Sequence, residues 1–297
     1  MAGRAYRVSL LVISLSLMAC GSDSGRGVGS TDTVQQVAEV TVAETPAAEN
    51  PVEPAVGEAG EAGEAGEIDE QAVAVLRQMT STLASLQVFS VSMETGFDVT
   101  QPDGEKLEFG SRRSASISRP DKAHFRFRKR SGEGGELVFD GSDIWAFVPE
   151  ENAYASIPQP GDIDASIDFV TTELGIPVPV SDFFAADPSV SLAEGVLSAR
   201  DLGPSTIGGR SGRHIAMRKA GVSYQIWVAE EDSLPTRVVI TYVEEPGQPQ
   251  FWAQFIEWEL EPDTGVGVFQ FQPPEGVERI RFATYDSSVE LEEEAAQ

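Results

Sequence analysis

The chain has 297 residues, of which 48 are acidic and 21 are basic, so its formal net charge is −27. A phosphate backbone would be repelled by this charge, and we expect no nucleic-acid partner. A single cysteine excludes an internal disulfide and leaves that thiol available for another role.

The first nineteen residues, 1–19, have the organisation of a signal peptide. Two arginines precede the apolar run Val8 to Leu17, which is about half of the roughly 20 residues that cross a bilayer as a helix. The following Leu17-Met18-Ala19-Cys20 resembles the lipobox of bacterial lipoproteins, in which the cysteine becomes an acylated N-terminus. We therefore predict lipidation of Cys20. The alternative is an ordinary secretory signal with a chance cysteine.

Residues 20–67 form the lipidated cysteine and a linker. From Gly21 to Glu67 the composition is dominated by Gly, Ser, Thr, Ala, Pro and Glu, with ten acidic residues and one basic residue. Such a segment cannot bury enough apolar surface to offset the entropy of ordering, so we predict a disordered acidic tether. A flexible chain of this length spans roughly 35 to 40 Å. An acidic strip that binds a basic partner is the alternative.

Residues 68–285 are long enough for one sizeable core, and their periodicity predicts a mainly antiparallel β fold with α-helices, of the α+β class. A helix capped by Asp69 opens the domain. Alternating segments follow from Val88 to Ile157, then a helical insertion at Ile163 to Gly175 with a second piece at Ser181 to Ala186. Extended segments resume at Val196, Ser211, Ser223, Thr236, Gln250 and Arg279. An acidic tail, 286–297, ends the chain.

Short connections and period-two alternation predict a curved half-barrel of about eleven strands with helices plugging the concave side. Three motifs support this interpretation. They are Ser118-Arg119-Pro120-Asp121-Lys122-Ala123-His124-Phe125, the hairpin from Phe139-Asp140-Gly141 through Trp145 to Pro149, and Phe269-Gln270-Phe271-Gln272-Pro273-Pro274-Glu275-Gly276-Val277. Together they resemble the outer-membrane lipoprotein carrier (LolA/LolB-like) superfamily, and most closely its family of predicted periplasmic proteins of unknown function.

The resemblance implies an incomplete barrel around an apolar cavity, which in the better-known members holds acyl chains or free lipids. The number of aromatic side chains on alternating segments also calls for a common interior. The predicted cavity-lining residues are Phe89, Met93, Phe97, Phe109, Phe125, Phe127, Phe139, Trp145, Phe147, Phe169, Phe183, Phe184, Trp227 and Trp258. A plain packed core is the alternative, in which the same residues leave no room for a ligand.

No pattern in the sequence points to an enzyme, a metal site or a cofactor. His124 and His214 have no spacing to each other, to Cys20 or to a carboxylate that is typical of metal ligands, and we expect both to be surface residues or internally satisfied. The acidic hairpin around Asp140 lacks the spacing of a calcium-binding loop. We therefore expect a binding protein with no catalytic residues.

The predicted function is that of a periplasm-facing lipoprotein, anchored in the membrane through its lipid, which binds a lipid, an acyl chain or a lipidated partner. The alternative is a protein-interaction or envelope-stress sensor module with a closed cavity. Gly21 and Ser22 stand where enteric lipoproteins retained at the inner membrane carry an aspartate, so the outer membrane is favoured. We expect a monomer.

Overall fold

The computed structural model describes residues 66–281, apart from residues 177, 263, 264 and 266. The predicted signal peptide, Cys20, nearly all of the predicted linker and the predicted acidic tail lie outside the described residues. No helix in the described part is long and apolar enough to cross a membrane.

Twelve strands and three α-helices make up the described chain. The first half contains α1 (Glu70–Ser85), β1 (Val88–Thr100), β2 (Lys106–Ser118), β3 (Lys122–Lys129), β4 (Gly134–Phe139), β5 (Asp143–Val148) and β6 (Ala153–Pro158). The second half contains α2 (Ile163–Thr172), α3 (Pro188–Ala193), β7 (Ser198–Ile207), β8 (Arg210–Lys219), β9 (Val222–Ala229), β10 (Pro235–Tyr242), β11 (Gln250–Glu259) and β12 (Glu278–Ile280).

All twelve strands belong to one open sheet in the order β12-β6-β5-β4-β3-β2-β1-β11-β10-β9-β8-β7. Two antiparallel meanders, β1 to β6 and β7 to β11, are joined where β1 pairs with β11. The predicted curved half-barrel with helices is confirmed. The exception to antiparallel order is β12, which pairs in parallel with β6 because the chain crosses the sheet before it reaches that edge.

The first helix follows directly from its sequence. Asp69 accepts a hydrogen bond from the backbone N–H of Gln71 at 2.8 Å, which caps the helix. Its buried side chains recur at three- and four-residue spacing and face the core. They are Ala72, Leu76, Met79, Thr80 and Leu83.

The helical insertion is shorter than predicted. The helix that begins at Ile163 ends at Thr172, and the predicted helical piece after Ser181 is a single 3₁₀ turn, Ser181–Phe183. The structure adds a helix that the sequence analysis did not predict, α3. Its signal is local, because Asp187 caps the backbone N–H of Ser189 at 2.9 Å and Pro188 occupies the first turn.

Candidate functional site

The concave face of the sheet carries the core and the predicted site. Residues directly opposite in neighbouring antiparallel strands point to the same face, and the register places Phe89, Ile117, Ala123 and Phe139 in one row. All four are at most 5% exposed. This row marks the concave face, onto which the helices pack.

Eleven of the fourteen predicted site residues lie on this concave side. Eight come from strands and three from the helical insertion, where each packs into the core or against it. The eight strand residues are Phe89, Met93, Phe97, Phe109, Phe125, Phe127, Phe139 and Trp258, and the three from the insertion are Phe169, Phe183 and Phe184.

One end of the concave face is filled by the helical insertion. The ring of Phe184 lies 6.0 Å from that of Phe125 and 6.4 Å from that of Phe89, and the ring of Phe183 lies 5.7 Å from that of Phe255. Neither Phe183 nor Phe184 is more than 1% exposed. These distances are those of packed aromatic pairs, so this end is closed by the protein's own side chains.

Arg119 fastens the insertion to the sheet and to α1. Its guanidinium donates hydrogen bonds to the carbonyl oxygens of Leu83 (2.8 Å) and Leu86 at the end of α1, and of Phe184 (3.2 Å) and Ala185 (2.6 Å) in the insertion. Burial lowers the pKa of Arg119 from its usual value, opposed by the charge of Asp164. These carbonyls near the core thereby gain a charged donor.

The other end of the concave face is open. Phe97 and Phe109 stack there with ring centroids 5.9 Å apart, and Phe109 is 50% exposed. Leu107 beside it is 39% exposed, and Phe127 is partly exposed. Apolar side chains of β1, β2 and β3 are therefore accessible to solvent at this end.

Polar residues that the sequence analysis did not single out lie between these two ends. Thr95, Ser111 and Arg113 are in phase with Phe97, Phe109 and Ala115, so they share the concave face. The period-two pattern of β1 and β2 already indicates that these three residues share a face with the phenylalanines. A charged residue type argues for the outer face, and the phase of the strand places Arg113 on the concave one.

Another polar group, the partly buried Asp182, lies within the insertion. Burial raises the pKa of Asp182, and the nearby charge of Lys219 and a hydrogen bond with Ser191 oppose that rise. Burial also raises the pKa of Tyr242 to about 12, with the charges of Glu245 and Asp182 contributing, and it raises the pKa of Tyr224. Asp182 is therefore a carboxylate held in an unfavourable environment.

Trp145, Phe147 and Trp227 were predicted to line the cavity, and the structure places them on the outer face. In β5 the concave residues are Ile144, Ala146 and Val148, opposite Phe139 and its row, so the two aromatic rings between them point outward. In β9 the concave residues are Tyr224, Ile226 and Val228, which puts Trp227 on the outer face.

The C-terminal segment covers the outer aromatic rings of β5 and β6. Phe271 lies 5.7 Å from Trp145, 5.8 Å from Phe147 and 5.6 Å from Tyr154, ring centroid to ring centroid. Phe269 beside it is 8% exposed. The two phenylalanines of the C-terminal motif thus act as a strap on the outer face, which we call the Phe269–Phe271 strap.

Both histidines make internal contacts. His124 is buried under the strap, with Nδ1 2.8 Å from the carbonyl oxygen of Val268 and Nε2 2.9 Å from a carboxylate oxygen of Glu136. His214 stacks on Trp227 with ring centroids 4.0 Å apart, and burial lowers its pKa, opposed by a hydrogen bond to Oε1 of Gln225. Within residues 66–281 as described, no cluster of three metal-ligating side chains occurs.

The outer face also carries a basic region on β2 and β3. It includes Arg112, Arg126 and Arg128, and cavities of about 460 and 370 Å³ flank Arg112 and Arg128. Neighbouring carboxylates offset much of this charge. Glu94 pairs with Arg112 at 3.0 Å, Glu136 with Arg126 at 3.3 Å and Glu108 with Arg130 at 2.8 Å.

An open, curved, twelve-stranded sheet whose concave side holds helices and aromatic rings defines a half-barrel protein with an apolar inner wall. A family model described as "Predicted periplasmic protein (DUF2092)" matches residues 72–283. The chain belongs to this family, which confirms the family expected from the three motifs. No curated protein matches the sequence.

Several solved structures share the general fold at low identity. MucB is 12% identical with a TM-score of 0.37 over 70% of this chain, which spans 65% of the MucB chain. LprF from Mycobacterium bovis is 12% identical with a TM-score of 0.44, covering 68% of this chain and all of LprF. The lipoprotein LppX from Mycobacterium tuberculosis is 15% identical with a TM-score of 0.39, covering 66% of this chain and all of LppX. Similarities this distant transfer no ligand or partner.

Proposed function

We propose that the protein is a lipid-anchored, periplasm-facing binding protein without enzymatic activity, which holds a lipid, an acyl chain or the acyl chain of a lipidated partner against its concave face. One observation carries the proposal. At its open end the concave wall terminates in apolar rings, because the partly buried Phe97 stacks there on Phe109, which is 50% exposed.

An exposed aromatic surface that is continuous with a core favours an apolar ligand. Each methylene group transferred from water to such a wall contributes about 0.8 kcal/mol, so a chain of ten methylenes could gain roughly 8 kcal/mol before the cost of ordering is subtracted. The stacked rings of Phe97 and Phe109 provide a flat entry surface of the kind that alkyl chains cover. The helical insertion limits how far such a chain can reach without moving it.

A second candidate function is favoured by the closed end of the concave face. Because Phe183 and Phe184 are fully buried, the same fold could work with a collapsed cavity as a protein-interaction or envelope-stress sensor module. In that case the exposed aromatic end would contact a protein rather than a lipid.

The proposed membrane anchoring depends on lipidation of Cys20, and Gly21 and Ser22 after it favour the outer membrane. Cys20→Ala should move the protein from the membrane fraction to the soluble fraction without changing its far-ultraviolet circular dichroism. Retention of the variant in membranes would contradict a lipid tether.

Site-specific photocrosslinking tests the concave-face ligand. The photoreactive residue p-benzoylphenylalanine would replace Phe97 on the concave face or, as the matched control, Phe147 on the outer face. After irradiation in cells, mass spectrometry should find an acyl-containing adduct at position 97 and none at position 147. A protein adduct at position 97 would support the interaction module instead, and equal labelling at both positions would contradict a concave site.

A further inference from the structure

A basic side chain, that of Arg113, lies on the inner wall of the half-barrel beside apolar neighbours. Arg113 is directly opposite Met93 on β1 and Phe127 on β3, so its side chain leaves the strand on the concave face. The adjacent Arg112 points to the outer face, where its side chain is 76% exposed and paired with Glu94 at 3.0 Å. Two consecutive arginines therefore face opposite environments.

The contacts of Arg113 fix its position on the wall. Its Nε donates a hydrogen bond to Oγ of Ser111 at 3.0 Å, which in turn lies 3.0 Å from Oγ1 of Thr95. Thr95 and Ser111 are only 1% and 7% exposed. Because Ser111 is two residues closer than Arg113 to Phe109 along β2, the guanidinium extends toward the open end of the concave face.

Arg113 has no anionic partner within the described residues. No carboxylate oxygen of those residues lies within 4.0 Å of its guanidinium, whereas Arg112 and Arg126 on the outer face of the same two strands pair with Glu94 and Glu136. Burial lowers the pKa of Arg113 from its usual value, and no neighbouring charge opposes that shift. The guanidinium stays protonated in proteins, so a charge without an anionic partner lies on this partly buried wall.

We propose that Arg113 binds the anionic group, a carboxylate or a phosphate, of an amphiphile whose hydrocarbon part lies on the aromatic wall of the concave face. A guanidinium forms two parallel hydrogen bonds with either oxyanion, and the hydroxyls of Ser111 and Thr95 add polar contacts at the same depth. The apolar rows on both sides of Arg113, toward Phe125 and toward Phe97, receive the chain. This inference rests on the proposed function and names the chemical class of its ligand.

Pairs of lipids that differ only in the anionic group provide the test. The full-length protein, purified from membranes in non-ionic detergent, would be incubated with oleic acid or oleyl alcohol, and separately with dioleoyl phosphatidate or dioleoylglycerol. Native mass spectrometry then measures the retained fraction of each. We expect at least about tenfold preference for the anionic member of one or both pairs, consistent with a charge-assisted hydrogen bond. A preference for oleate indicates a carboxylate ligand, and a preference for phosphatidate indicates a phosphate ligand.

Arg113→Gln should abolish the preference and leave retention of the neutral lipids unchanged. Arg112→Gln removes an adjacent charge from the outer face and should keep the full preference, and Arg113→Lys should keep part of it. Thermal unfolding shows whether each variant is folded. If Arg113→Gln does not fold, the partial loss of preference expected for Arg113→Lys still tests the role of Arg113.

An unchanged preference in folded Arg113→Gln, or no preference in the wild type, would overturn the role of Arg113 and leave the proposed function standing. Failure of the wild type to retain any of the four lipids would instead overturn the proposed function itself.

Discussion

The ring of Phe184 in the helical insertion packs 6.0 Å from the ring of Phe125 on the third strand, and this contact closes one end of the concave face. Phe89 completes the contact from the first strand, at 6.4 Å from Phe184. The position of the insertion therefore depends on aromatic packing as well as on the hydrogen bonds of Arg119. Stability and ligand access are linked through the same side chains.

Phe184→Ala should destabilise the fold by about 3–5 kcal/mol, because it removes a fully buried ring from a packed cluster. Urea unfolding followed by tryptophan fluorescence measures this change. Phe109→Ala is the matched control, since Phe109 lies on the same face but is 50% exposed, and it should cost about 1 kcal/mol or less. If both variants lost the same free energy of unfolding, the distinction between a closed and an open end of the concave face would be wrong.

Asp182→Asn should change how stability depends on pH. Burial raises the pKa of Asp182 above the ordinary 3.8, so the folded state binds the proton more tightly than the unfolded state. The contribution of this group to the free energy of unfolding therefore grows as the pH falls through the folded pKa, and it is constant below 3.8. At pH 7 the asparagine variant should be at least as stable as the wild type.

Urea unfolding at pH 7 and pH 4.5 tests that expectation. The stability of the asparagine variant relative to the wild type should decrease at the lower pH. Asp187→Asn serves as the control, because hydrogen bonds from Ser189 lower the pKa of the exposed Asp187 and its effect on stability changes only below about pH 4. If the wild type and Asp182→Asn respond to pH identically, the carboxylate is not held in an unfavourable environment.

Phe271→Ala should loosen the Phe269–Phe271 strap. The substitution removes three ring contacts on the outer face, with Trp145, Phe147 and Tyr154, and should cost about 2 kcal/mol. Hydrogen–deuterium exchange should increase in residues 143–158 and 267–281, while α1 stays protected. Gln272→Ala changes an exposed neighbour and should leave both segments unaffected. Increased exchange confined to the concave strands would contradict this role.

The period-two pattern predicted the strands well because one side of most strands is clearly more apolar than the other. Phe89 and Phe125 alternate with polar neighbours, and both lie on the concave face as expected. The pattern failed where both faces are apolar. In β5 the larger rings, Trp145 and Phe147, were predicted to point inward, but the smaller Ile144 and Ala146 do so, because the strap supplies a second apolar environment outside.

At Arg113, residue type and strand phase point to different faces. Its phase along β2 is that of Ala115 and Ile117, so the register determines a concave position, but a charged residue type argues for solvent. The pairing of β2 with both neighbouring strands determines which face of the sheet Arg113 occupies. Tertiary contacts of this kind, and the outer cover that the strap provides, depend on residues far apart in sequence and are not visible in local periodicity.

The most direct test of the central claim is chemical extraction of the protein after purification from its own membrane. The full-length protein would be washed with non-ionic detergent, and its bound lipids would be extracted and identified by mass spectrometry, with Cys20-linked chains assigned separately from the protein mass. The proposed function predicts about one non-covalent acyl species per protein, with a marked loss in Phe97→Glu, which places a charge on the open concave end. A protein that is folded and reproducibly free of non-covalent lipid would contradict it.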